Sequence, residues 1–307
     1  MNISVVINQM LQLFLILGLG YFLNKIKLFD TAINQKLNLL ILNVTTPAMI
    51  LASVSSSNQG SSNGAVLKVL LVAIAIFIIL PILSFILVKI MRVPKHQEGI
   101  YMFMTVFSNI GFMGFPVIKS IFGSEAVFYT AIFNMIFSLL VFTLGIFLIN
   151  YGTKNKADFN IKILLSPGIV SSFAAIVIYF LKIPIPSVLG STFNSVGNIT
   201  TPIAMMLIGS TLENIEIKEV LTEFRIYPYT LVRQILIPAA FYPILKFFIT
   251  NPLILGVTLI VLAMPVGNSA VQFATKYDAD IDLAAKSVFI TTLISVFTIP
   301  LIVAVFL

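Results

Sequence analysis

The chain has 307 residues, 59% hydrophobic and 9% charged, with a formal net charge of +7 and a mean hydropathy of +1.09. Such proportions exclude a water-soluble domain and predict an all-α membrane protein surrounded by lipid bilayer. The basic excess is spread over the ends of apolar segments rather than gathered with aromatic partners, so no nucleic-acid partner is expected. Without cysteine, and with His96 as the single histidine, disulfides and zinc-type clusters lack ligands, and no metal or cofactor is expected.

The first apolar run, residues 4–24, has no basic residue before it, and Lys25 and Lys27 follow it. It reads as a retained span rather than a cleaved signal. At about 20 residues per span, the chain holds ten spans. The others are predicted at 36–54, 65–90, 99–120, 125–150, 163–182, 191–212, 226–249, 252–275 and 282–306. Basic residues gather in alternate loops: Lys25, Lys27 and Lys36; Lys89, Arg92 and Lys95; Lys154, Lys156 and Lys162; Lys218 and Arg225; Lys276 and Lys286. Lys and Arg near span ends stay cytoplasmic, which puts both termini outside the cytoplasmic membrane.

An internal repeat appears at an offset of 155 residues, where Asn43, Thr45, Thr46 and Pro47 of "NVTTP" fall on Asn198, Thr200, Thr201 and Pro202 of "NITTP". The same offset brings Phe142 and Thr143 onto Phe297 and Thr298. Five spans per half is an odd number, so the second half enters from the opposite side. The expected fold is two inverted five-helix repeats, residues 1–150 and 163–307, joined by a cytoplasmic linker at 151–162, a symmetry many secondary transporters use.

The fourth span carries "SNIGFMGFP", with Ser108, Asn109, Gly111, Gly114 and Pro116. The ninth carries "AMPVGNSAVQ", with Pro265, Val266, Gly267, Asn268, Ser269 and Gln272. Gly and Pro weaken a helix, and in lipid the freed backbone is tolerated only against protein or a water-filled cavity. Two breaks at matching depth in inverted halves point to a midplane site whose helix starts attract an anion. Two kinked helices packed on each other are the plainer alternative. Asn109 and Asn268 suit a carboxylate or serve the broken backbone. Asn134 in the fifth span is a ligand contact or an interhelical hydrogen bond. Thr46, Pro47, Thr201 and Pro202 kink and pack the second and seventh spans, with the threonine hydroxyls available to the cavity.

Arg233 is buried within the eighth span, roughly 12 Å from its start. Its partner is either the carbonyls of a broken helix or an anionic substrate. No Asp or Glu lies mid-span, which argues against a carboxylate proton relay or a carboxylate-built sodium site. Asp278, Asp280 and Asp282 read as solvated or as capping the tenth helix.

At "SNIGFMGFPVIKSIFG", "VRQILIPAA" and "AMPVGNSAVQFATKYDADIDLAAKSVF" the chain resembles the auxin efflux carrier family, which includes the plant PIN-FORMED carriers and bacterial malate or malonate permeases. The resemblance implies a fold of the bile-acid symporter and sodium-proton antiporter kind. Spans 1, 2, 6 and 7 would form a scaffold, and spans 3–5 and 8–10 a mobile transport unit crossing at Pro116 and Pro265. It also implies a substrate carboxylate at Asn109 and Pro265–Asn268, Asn134 in the pocket, and a homodimer through the scaffold. Val266 and Gly267 stand where plant carriers have a glutamine-glycine pair, so auxin is not the expected substrate.

The sequence thus reads as an elevator-type transporter of small organic anions rather than an enzyme, since no buried nucleophile, acid-base pair or metal cluster is apparent. The alternatives are a sodium-coupled organic anion symporter and a membrane receptor or scaffold without flux.

Overall fold

A computed structural model describes residues 3–57, 63–151, 165–213 and 223–307. Lys154, Lys156, Lys162, Lys218 and most of the predicted linker lie outside them. In chain order the helices are α1 (Ile3–Lys25), α2 (Thr31–Leu40), α3 (Thr46–Ser57), α4 (Asn63–Ile90), α5 (Lys95–Val106), α6 (Phe115–Phe122), α7 (Ser124–Val141) and α8 (Leu144–Ile149). There follow α9 (Pro167–Leu181), α10 (Ser187–Asn198), α11 (Thr200–Glu213), α12 (Ile226–Leu231), α13 (Ile237–Phe248), α14 (Pro252–Ala263), α15 (Ser269–Lys276) and α16 (Ile281–Phe306). The described residues contain no strand.

Among the described residues six helical stretches are long and apolar enough to cross a membrane: Ile7–Lys25, Thr31–Val54, Gly64–Ile90, Ser124–Val141, Ile226–Phe248 and Ile281–Phe306. This makes the chain a multi-pass membrane protein. Shorter apolar helices run over Ile110–Phe122, Pro167–Leu181 and Pro252–Ala263. The predicted fourth and ninth spans fall among these because each is divided by a break. Leu15, Phe297 and Phe247 are at least 75% exposed. That arrangement is costly in water and favourable in hydrocarbon.

Helix α1 packs along α11, α3 along α9 and α10, and α7 against α3, α4 and α14. With little hydrophobic drive between helices in lipid, such pairs depend on close backbone approach through small residues. A Cβ on Gly20 would lie 2.0 Å from the Met206 carbonyl oxygen, and one on Gly209 would lie 1.8 Å from that of Leu17. The same seam is bonded by Asn24, whose Nδ2 donates to Ser210 O and Oγ at 2.8 and 2.9 Å. Asn34 of α2 joins it through Ser210 Oγ at 2.8 Å.

Three prolines are absorbed in one way. Pro47, Pro116 and Pro238 each follow a five-residue π turn, at Ile41–Thr45, Ile110–Gly114 and Val232–Leu236. The residue before each proline donates to the carbonyl five positions back: Thr46 to Ile41, Phe115 to Ile110, Ile237 to Val232. Proline has no N–H and its ring crowds the carbonyl four positions earlier, so the wider turn lets the helix continue. Pro116 therefore does not interrupt its helix, contrary to the expectation that it marks the crossing. The fourth span breaks at Phe107–Asn109, between α5 and the π turn. Pro202 has no π turn before it; the chain bends at Ile199, between α10 and α11.

Candidate functional site

The two breaks meet. Ser108 and Val266 form an antiparallel bridge, and the Asn109 backbone N–H donates to the Pro265 carbonyl at 2.8 Å. Each broken strand thus satisfies backbone groups that the other's break has freed, which is what a membrane interior demands. Ser108 Oγ donates to the Val261 carbonyl at 3.3 Å. The Val266 N–H donates to Thr291 Oγ1 of α16 at 3.1 Å.

Asn109 has two roles at once. Its Oδ1 accepts from the Phe112 N–H at 3.2 Å, capping the second half-helix. Its Nδ2 is buried without a protein partner. The backbone service read from sequence is thus present, and the Nδ2 donor is left over.

Beside the crossing lies a cavity of about 260 Å³. Its polar wall comes from Asn43, Thr46, Ser108, Asn109, Gly111, Asn134, Ser138, Gly267, Asn268, Ser269 and Gln272. Leu42, Phe112, Phe137, Val141, Phe142 and Phe273 supply the apolar wall, and Ser166, Pro167 and Gly168 at the start of α9 complete it. No Lys, Arg or His lines it. Three lining residues carry a buried polar atom with no partner: Asn109 Nδ2, Ser269 Oγ and Thr46 Oγ1. A buried donor without a partner costs roughly 1–3 kcal/mol, and three such atoms belong to residues that border one concavity. Gly267 belongs to the same floor. A Cβ there would meet Ser269 Oγ at 3.1 Å and the Ser108 carbonyl oxygen at 3.2 Å.

A second cavity, of about 420 Å³, continues past Phe112, Asn268 and Gln272. It is lined along α2 by Thr31, Asn34, Gln35 and Asn38, spaced as one helical face. Thr211, Leu207, Val271, Ala285 and Val288 close its other sides.

Some residues singled out from sequence lie elsewhere. Gly114, Pro116, Pro265, Val266, Pro47, Thr201 and Pro202 do not line the cavity, though the Pro265 carbonyl holds the crossing. Arg233 is 1% exposed and lies behind the break, where its Nη1 donates to the Leu262 carbonyl in the last turn of α14. Its Nε and Nη2 have no partner. Helix carbonyls, rather than a cavity-lining position, are what the guanidinium meets. Its neighbour Gln234 carries no signal in the sequence that marks it as functional. Gln234 accepts from Thr298 Oγ1 at 2.8 Å and donates to the Thr291 carbonyl at 2.7 Å, tying α16 behind the crossing. Asn43 and Phe142 stand out in the sequence only as part of the repeat, and Phe137 and Ser138 carry no local signal that separates them from lipid-facing neighbours. Asp280 caps α16 by accepting from the Leu283 N–H at 2.9 Å, as expected for that cluster.

Broken helices that pair at their breaks beside a cavity with polar and apolar walls, within a multi-pass helical protein, are the arrangement of membrane transporters. The chain belongs to the membrane transport protein family, whose family model matches residues 5–303. The resemblance to auxin efflux carriers therefore extends over nearly its whole length. An uncharacterized transporter of Methanocaldococcus jannaschii is 24% identical over 92% of both chains. Another, of Escherichia coli, is 23% identical over 96% of both. A third, of Methanothermobacter thermautotrophicus, is 20% identical over 95% of both. The protein is accordingly a transporter and not an enzyme.

Proposed function

We propose that the protein carries small organic anions, mono- or dicarboxylates, across the cytoplasmic membrane by elevator-like movement of the crossing unit. The observation that carries this reading is the set of unpaired donors, Asn109 Nδ2, Ser269 Oγ and Thr46 Oγ1, on one cavity where two half-helices begin. Donors of this kind suit a carboxylate, and the positive ends of helix dipoles favour its charge. Asn134, Asn268 and the Gly111 and Gly267 backbones would complete the contact. Arg233 would add a positive field from behind the crossing.

Ten spans in two inverted halves are the arrangement on which this reading rests. It is supported by four of the five described residues with positive φ: Lys27 pairs with Lys182, and Gly123 with Asp278, both pairs 155 residues apart, while Arg92 has no such counterpart. Helices α1, α3, α9, α10 and α11 pack on one another as a scaffold would, and α4–α8 with α12–α16 would be the mobile body. The scaffold face would also carry a homodimer. With the basic loops cytoplasmic and both termini outside, the cavity near Thr31 and Ser166 opens to the cytoplasm.

The test is a thermal-shift screen of purified protein with acetate, benzoate, malonate and malate, followed by efflux of the stabilising carboxylate from proteoliposomes. Saturable efflux that Asn109→Ala abolishes is the expected result. Absence of both shift and saturable flux across the panel overturns the reading.

A further inference from the structure

The two cavities lie toward the start of α2 and the middle of α7, and beyond them, near the end of α3, stands a lysine. Along the continuous run of α2 and α3, residues 31–38 line the outer cavity and Leu42, Asn43 and Thr46 the inner one. Met49, Ala52 and Ser53, further along, border only a void of about 10 Å³. At 1.5 Å per residue, Ser53 lies about 22 Å beyond Asn38. Helix α7 repeats the order in reverse. Ser124 and Val127 reach the void, and Asn134 and Ser138 the cavity. A void of that size holds about one water molecule, so no solute passes.

Lys119 of α6 spans this closed seam, its Nζ 2.6 Å from Oδ1 of Asn198 at the end of α10. The wall carrying Asn198 is rigid. A Cβ on the adjacent Gly197 would lie 2.6 Å from Met49 Cα, so α10 and α3 are in backbone contact. Lys119, Ser124 and Val127 form the facing wall, on the helices that continue to the crossing. The ammonium has three donors and no acceptor, and here it meets a neutral amide rather than a carboxylate. A cation beside such a seam keeps most of its capacity to bind an anion. Asn43 stands 155 residues before Asn198 and lines the open cavity. The corresponding amide is thus latched at the closed end and free at the open end.

We propose that Lys119 is both the latch of the far mouth and an anion-binding site there. Bonded to Asn198 it holds the seam shut; when the seam parts, its ammonium, with Ser124 and Asn194 beside it, takes the carboxylate of a solute leaving Asn109. This rests on the transport reading above.

Two measurements test it. The chain has no native cysteine, so Ser53→Cys and Ser138→Cys report each end through a membrane-impermeant maleimide. Adding Lys119→Gln or Asn198→Leu speeds labelling at position 53 by about fivefold and slows it at position 138, as a population shift requires. Unchanged labelling overturns the latch. In oriented proteoliposomes with benzoate and malonate as tracers, Lys119→Gln raises the KM measured from the seam side about tenfold. The KM from the cavity side stays within about twofold and Lys119→Arg restores the parent value. An equal change on both sides, or none, overturns the anion site while leaving the transport reading intact. A parent protein without saturable flux overturns both.

Discussion

The backbone N–H of Asn109 donates to the Pro265 carbonyl at 2.8 Å, across a sequence separation that joins the two halves of the chain. This bond fixes where each helix stops, because an unpaired backbone group in hydrocarbon is too costly to leave. It also sets the side chain of Asn109 at the edge of the cavity, with one atom engaged and one free.

Asn109 separates stability from binding. Asn109→Ala removes the cap and lowers stability by about 1 kcal/mol, and it also removes the free donor. Asn109→Ser retains an acceptor for the Phe112 N–H but removes the amide Nδ2 donor. Its melting temperature is expected to stay close to the parent's while carboxylate-induced stabilisation is weakened. Thermal melts of both variants with and without malonate check this.

Gly209 is set against the Leu17 carbonyl with no room for a methyl group. Gly209→Ala forces α11 away from α1 at a cost of roughly 1–3 kcal/mol or more, because packed backbone cannot rearrange as a flexible side chain does. A lowered melting temperature and loss of monodispersity in detergent are the expected outcomes. Gly18→Ala, where an added Cβ meets nothing within 4 Å, is the control and melts like the parent.

Among the described residues Arg233 contacts the Leu262 carbonyl and no carboxylate. Replacing a buried charge by a well-packed apolar side chain is often near neutral for stability. Arg233→Met is therefore expected to fold, and to weaken carboxylate binding on the order of tenfold by removing the positive field behind the crossing. Arg233→Lys retains the charge and most of the affinity. Titration of each variant by thermal shift is the measurement, and equal affinities for Arg233→Met and the parent would remove Arg233 from the site.

The crossing was legible where composition forces it. Pro265, Gly267 and Asn268 sit close together in an apolar run, and their break lies where they are. In the fourth span Pro116 carried the same local signal but sits after a π turn, within a continuing helix. A proline's missing N–H can be accommodated by widening one turn or by breaking the helix. Which occurs depends on what stands opposite, and for Asn109 that is the Pro265 carbonyl.

By itself the sequence determined that the chain lives in a membrane, where its helices run, that two of them carry breaks, and that its halves echo each other. Those properties follow from local apolar content, from Gly and Pro, and from residue order. Tertiary structure decided which polar atoms are left unpaired, which residues from distant segments border one cavity, and that Lys119 faces Asn198. A hydrogen bond between distant segments depends on how whole helices pack, and neither residue of the pair carries that information in its own neighbourhood.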